Sequence, residues 1–391
     1  MNFPLRIAVP SLVAFGLAAF AWSLDASGGP GRDLAFALLT GAAFGIVLQR
    51  ARFCFLCNFR DLVQERDPRG VLSILAALAA GIIGYTIIFG MWLPDASAGN
   101  LPPTAFIGPV SLALVLGAFA FGIGMVIAGS CISAHLYRLG EGHPTSPFAL
   151  AGAFFGFILG FMTWNSLFLA GIAKGPVLWV PQYLGYAGAV VAALTAIAVL
   201  ALLVLWYGRR APVPEARPLT PTTALCAVFV NRWPAVAGGV LIAAIGSFAY
   251  LRFAPLGVTN QISSWARGAA NSAGVLPDTL YSLDTFRGCV AAVTDALLTP
   301  NGYLVLGLIL GSFAAAFAAG CFRPAWPRPK QIVEGLVGGV LMGWGAMTAL
   351  GCTIGVLLSG IQAGAVAGWV FLVSCTAAVW IGLYVRRMLA I

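Results

Sequence analysis

Charge is what this 391-residue sequence has least of. Asp, Glu, Lys and Arg together make up 8% of it, where soluble domains carry roughly a quarter. Apolar residues make up 60%, which excludes an ordinary soluble domain and points to a chain that crosses a membrane several times. The sequence has no G-x-x-x-x-G-K-[ST], so it has no nucleotide-driven motor of that kind, and no H-E-x-x-H. Within the apolar stretches Asp, Glu, Lys and Arg are almost absent. Proton and metal-ion carriers keep such groups at mid-depth, so whatever crosses here is handled by thiols, hydroxyls and backbone.

What is present is length without interruption. A span needs about 20 mostly apolar residues. Ten stretches qualify, at 7–24, 34–49, 71–92, 109–130, 148–170, 182–206, 234–251, 302–319, 332–351 and 364–385. The expected fold is an all-α integral membrane protein of about ten transmembrane helices, set in the lipid bilayer.

The 21 Lys and Arg residues outnumber the 12 Asp and Glu, but they do not form a nucleic-acid surface. They recur in alternate loops: Arg50, Arg52, Arg60, Arg66 and Arg69 after the second span, Arg138 after the fourth, and Arg209, Arg210, Arg217 and Arg232 after the sixth. Arg323, Arg328 and Lys330 follow the eighth, and Arg386 and Arg387 the last. The loop 93–108 has no Lys or Arg. Positive charge marks the cytoplasmic side, so both termini are expected there, in the inner membrane of the cell. Residues 1–24 also carry some marks of a signal peptide, but their removal would upset this alternation.

The sequence repeats. "LGAFAFGIGMVIAGSCISA" (116–134) aligns without gaps on "VGGVLMGWGAMTALGCTIG" (337–355), pairing Gly117, Gly122, Gly124, Ala128 and Cys131 with Gly338, Gly343, Gly345, Ala349 and Cys352. A weaker match pairs Cys54 with Cys289 and Asp61 with Asp295. The expected organisation is a first transmembrane half over 1–207, a proline-rich cytoplasmic linker over 208–233, and a second half over 234–391. Two five-span halves must lie inverted, an arrangement that builds transport pathways between them.

After each glycine-rich run the sequence turns from apolar to small and polar, as in "AGSCISAH" and "LGCTIG". Such a change fits a broken or re-entrant helix, whose freed backbone groups survive at membrane depth only against protein or a wet path. Gly129 and Gly351 would mark the breaks. Ser130, Ser133, Thr353 and helix-end N–H groups would offer donors to an anion. As an alternative, a membrane cysteine is a small packing residue, the reading given to Cys226, Cys321 and Cys375. Cys54-x-x-Cys57 admits a dithiol redox site, and its neighbours Arg52 and Arg60 would stabilise either a thiolate or an arriving anion. His135, four residues after Cys131, could share its helical face as a metal ligand, but no second ligand cluster accompanies it. No metal or resident cofactor is expected, and no enzymatic activity.

The segments "QRARFCFLCNFRDL", "GSCISAHLYRLGEGH" and "GCTIG" resemble the YeeE/YedE family of sulphur-transport membrane proteins, over most of residues 34–385. The resemblance implies uptake of thiosulfate across the inner membrane by a protein of inverted halves. It implies that Cys54, Cys131 and Cys352 line the path, with the substrate passed between thiols through S–H···S contacts. It also implies a TusA-like cytoplasmic sulphur carrier as partner. Cys57 is an additional thiol, and the first glycine-cysteine motif reads Gly-Ser-Cys. Related members are associated with selenium compounds. Two other readings stand beside transport of this kind: a membrane thiol oxidoreductase using Cys54 and Cys57, and a passive small-solute channel whose cysteines only pack.

Overall fold

Long apolar runs without Asp or Glu leave the backbone no partner but itself, so they fold as helices. The computed structural model describes residues 3–208, 226–277, 279–283 and 298–388, and among these helices dominate. In chain order they are α1 (Phe3–Ala26), α2 (Gly31–Ala51), α3 (Phe55–Glu65), α4 (Arg69–Trp92), α5 (Leu112–Ala128), α6 (Ile132–Gly140), α7 (Ser146–Ala170) and α8 (Val180–Tyr207). There follow α9 (Ala235–Arg252), α10 (Asn260–Ser272), α11 (Pro300–Ala318), α12 (Pro329–Thr348), α13 (Thr353–Gln362, largely π-helical) and α14 (Val366–Met388).

Nine helical stretches among the described residues are long and apolar enough to cross a membrane, and the pair α12 and α13, bent by 42°, makes a tenth. These are the ten spans the sequence leads one to expect. Two of the nine are themselves composite: α2 with α3, and α5 with α6.

Six spans precede the 208–233 segment and four follow it. The repeat of elements is therefore offset from the linker. It runs from α1 to α7 and again from α8 to α14, five spans each: an outer long helix, a long helix with a short one after it, a long helix, a long helix broken before a short one, and a last long helix. Helices α1 and α8 open the two units and take equivalent places, α1 packing on α11 and α8 on α4, the counterpart of α11. Both are largely exposed, with Leu12, Phe15, Trp22, Leu202 and Trp206 facing outward, as lipid-contacting helices do.

Packing between the units follows the same correspondence. Helix α2 lies along α11 and its counterpart α9 along α4; α7 lies along α12 and its counterpart α14 along α5. At the centre α5 crosses α12 through glycines. A Cβ built on Gly117 would lie 2.9 Å from Gly345 O, and one on Gly338 would lie 2.6 Å from Gly124 O. Because Gly117 corresponds to Gly338 and Gly124 to Gly345, these are one contact seen twice, the mark of a two-fold relation. The gapless alignment of 116–134 on 337–355 thus coincides with the central crossing.

Cys289 and Asp295 lie outside the described residues. By element order the counterpart of α3 is α10, and that of its first residue's neighbour Cys54 is Thr259, which precedes α10. The segment "NQISSWARGAANS" escapes a search for spans because it is polar, although Thr259, Asn260, Gln261 and Ser263 are buried.

Contacts between loops sort the molecule into two faces. One joins Asp33 to Arg252 by an ion pair at 2.9 Å, Tyr186 to Leu93 O, Tyr250 to Pro103 O, and Trp179 to Ala365. The other joins Arg50 to Val230 O, Arg323 N to Glu141 O, and Arg66 to the ring of Tyr207. Arginine is concentrated on this second face.

Candidate functional site

Three helix breaks share one construction. Helix α2 closes on Arg52 in the left-handed conformation (φ 51°), Phe53 N–H donates back to Leu48 O at 3.1 Å, and extended Cys54 starts α3. Helix α5 closes on Gly129 (φ 81°), and extended Cys131 starts α6. After α12 the chain turns at Leu350 (φ 60°), Gly351 N–H donates to Ala346 O at 2.7 Å, and extended Cys352 starts α13. Left-handed residues end helices by satisfying their last carbonyls. In each case the cysteine is the second residue after the left-handed one, at the N-terminus of a helix of nine to eleven residues. Each such N-terminus carries the positive end of a helix dipole, which favours an anion.

Two of these breaks meet. Cys54 Sγ lies 4.0 Å from Cys131 Sγ, and Cys131 Sγ lies 3.2 Å from Ser133 Oγ. The backbone N–H groups of Ala134 and Phe55, in the first turns of α6 and α3, are directed at the Cys131 sulphur. Cys57 hydrogen-bonds Cys54 and accepts from Arg138 Nη2 at 3.2 Å. The result is a buried row running Ser133, Cys131, Cys54, Cys57, Arg138. Cys54, Cys57 and Cys131 are buried free thiols.

A small cavity opens beside this row. Cys131, Ser133 and Phe53 line it from the first repeat unit, and Thr353, Ile354 and Leu357 from the second. A second cavity lies against the same α12 to α13 break, bounded by Thr348, Leu350 and Val356. Cys352 is fully buried at the break that both cavities touch, but its own side chain lines neither.

The remaining expected residues distribute as follows. Ser130 is buried and turns its hydroxyl to Gly129 O at 2.6 Å, so it serves the turn. Gly351 has φ 156° and forms the corresponding turn before Cys352. Arg52 holds the cap of α2 with its side chain exposed. Arg60 is paired with Asp61 at 3.0 Å. The guanidinium that reaches a thiol is instead that of Arg138, which the sequence marks only as one more loop arginine. His135 is buried with Nδ1 3.3 Å from Ser146 Oγ. Of the cysteines assigned to packing, Cys375 is buried, whereas Cys226 and Cys321 are exposed.

Comparison with known proteins adds identity to this geometry. The profile of a family described as "Sulphur transport" matches residues 50–381. A thiosulfate transporter, TsuA, of Spirochaeta thermophila is 30% identical over 347 residues, covering 85% of this chain and 92% of that protein. TsuA of Escherichia coli K12 is 29% identical over 353 residues, covering 88% and 92%.

Proposed function

The chain belongs to the sulphur-transport family, a family of transporters rather than enzymes, and from that premise we propose that it takes up thiosulfate across the inner membrane along a path lined by Cys54, Cys131 and Cys352. The observation that carries the reading is the 4.0 Å contact between Cys54 and Cys131 at the meeting of two helix breaks, beside a cavity whose other wall is the Cys352 break. The two repeat units, residues 3–170 and 180–388, are read as inverted about the crossing of α5 and α12. The face rich in arginine, with residues 208–233 and both termini, is read as cytoplasmic.

Thiosulfate is a soft dianion with a polarisable terminal sulphur. Neutral thiols give that sulphur weak hydrogen bonds, while helix N-termini attract the charge. A fixed cation in the middle of the path would hold the anion too long; conduction needs sites strong enough to enter and weak enough to leave. A small TusA-like carrier is the partner expected to receive the sulphur on the arginine-rich face. The contact of Arg138 with Cys57 favours one second reading, a thiolate-based redox site at Cys54 and Cys57, since a guanidinium stabilises a thiolate.

Uptake of radiolabelled thiosulfate into proteoliposomes separates these readings. Wild-type uptake with loss in Cys54→Ala, Cys131→Ala and Cys352→Ala supports the path. No uptake above empty liposomes would remove the transport reading. Trapping of a Cys54 to Cys57 disulfide during turnover would move the assignment to the redox reading.

A further inference from the structure

The thiol row ends at Arg138, and beyond it four arginines gather around one carboxylate. Glu141 accepts a hydrogen bond from Gln49 Nε2 at 3.2 Å and lies within electrostatic reach of Arg138, Arg52 and Arg232. Arg50, in the last turn of α2, lies within reach of the same Glu141 and of Arg232. The other nearby carboxylate, Asp61, is engaged with Arg60. Among the described residues, four guanidinium groups from α2, α6 and the segment before α9 therefore share one acid, and the balance of these groups is positive.

A second observation marks this cluster as more than a solvated charged edge. Arg50 is only 3% exposed. Its Nη2 donates to the carbonyls of Val230 and Asn231, but among the described residues its buried Nε and Nη1 have no hydrogen-bond partner. Unpaired donors on a buried guanidinium are costly, and they suit the planar oxygen edge of an oxyanion.

We propose that Arg50, Arg52, Arg138 and Arg232 form a second anion site, which takes the sulphonate oxygens of thiosulfate after its sulphur leaves the Cys54 and Cys131 thiols and before release at the arginine-rich face. The site rests on the transport reading above. Its chemistry complements the thiol row: thiols hold the soft sulphur end, guanidiniums the hard oxygen end. Two adjacent sites of different character let a dianion be handed on, so neither needs to bind tightly. Glu141 opposes retention by its own charge.

Counterflow of radiolabelled thiosulfate in oriented proteoliposomes tests this, with half-saturation measured separately from each face. Arg52→Gln with Arg232→Gln is expected to raise the half-saturating concentration on the arginine-rich face about fivefold or more, as loss of two nearby charges does in a partly screened site. The opposite face should change by less than about twofold, because it lies beyond the screening distance. Glu141→Gln should lower the value on the arginine-rich face, and Arg52→Lys with Arg232→Lys should restore much of the wild-type value. Monodisperse protein at normal yield guards against misfolding. Wild-type counterflow with unchanged half-saturation in the Gln variants, or equal change on both faces, would overturn the site alone. Absence of wild-type counterflow would remove the transport reading, and the site's cargo with it.

Discussion

At the residue scale the cysteines separate by what touches them. Cys54 and Cys131 contact each other and stand at helix starts, so removing either sulphur interrupts the row; replacement by Ala is expected to cost only about 1 kcal/mol of stability while nearly abolishing thiosulfate uptake. Ser at the same positions keeps a donor but loses polarisability, and uptake should fall well below wild type; wild-type rates in Cys131→Ser would show that a hydroxyl suffices. Cys57 answers to Arg138 rather than to the cavity. Cys57→Ser should keep most uptake because a hydroxyl still accepts the Arg138 N–H, whereas Cys57→Val strands a buried guanidinium and should lose both uptake and thermal stability. The helix breaks at Cys131 and Cys352 were legible because each cysteine follows a glycine-rich run, and Cys54 was singled out by its place in the family motif. Arg138 and Arg50 were not, since nothing in sequence spacing says which loop arginine folds back onto a thiol or is left half-paired.

Among the elements, the crossing of α5 and α12 controls how closely the two units approach. A Cβ on Gly345 would come within 2.5 Å of Gly117 O and 2.7 Å of Phe121 N, both backbone atoms that cannot rotate away. Gly345→Ala must therefore push the helices apart, and overpacking of this kind costs about 1–3 kcal/mol. Thermal unfolding in detergent should show a lower midpoint for it than for Gly129→Ala. The latter meets nothing within 4 Å, and its cost is the left-handed backbone alone, about 1–2 kcal/mol. An unchanged midpoint in Gly345→Ala would mean that the helices do not cross at these glycines. The crossing was legible in the sequence as a gapless run of matching glycines, because close approach leaves no other residue. Helix α10 was not: a short polar helix held inside the protein lacks the apolar length that identifies a span, and it has Thr259 where its counterpart α3 has Cys54.

For the whole molecule, the ten spans follow from hydrophobic length alone, which is the strongest constraint a bilayer imposes. The register of the repeat does not, because spans can be counted without knowing which of them pair; only the contacts show that α1 and α8 are counterparts, set on α11 and α4. Orientation is the remaining global property, and the native cysteines offer a direct test of it. Cys226 and Cys321 are exposed, while Cys54, Cys57, Cys131, Cys352 and Cys375 are buried. Both exposed thiols belong to the face that carries Arg50 and the Glu141 to Arg323 contact. If positive charge sets that face in the cytoplasm, a membrane-impermeant maleimide added to Cys289→Ala protein should label it in inside-out vesicles and leave it unlabelled in right-side-out ones. Adding Cys226→Ser and Cys321→Ser should abolish the labelling, which assigns the signal to these two positions. Labelling from the outside of right-side-out vesicles would reverse the molecule in the membrane. The arginine cluster would then meet thiosulfate before the thiols do, and the direction argued for the hand-over would run the other way.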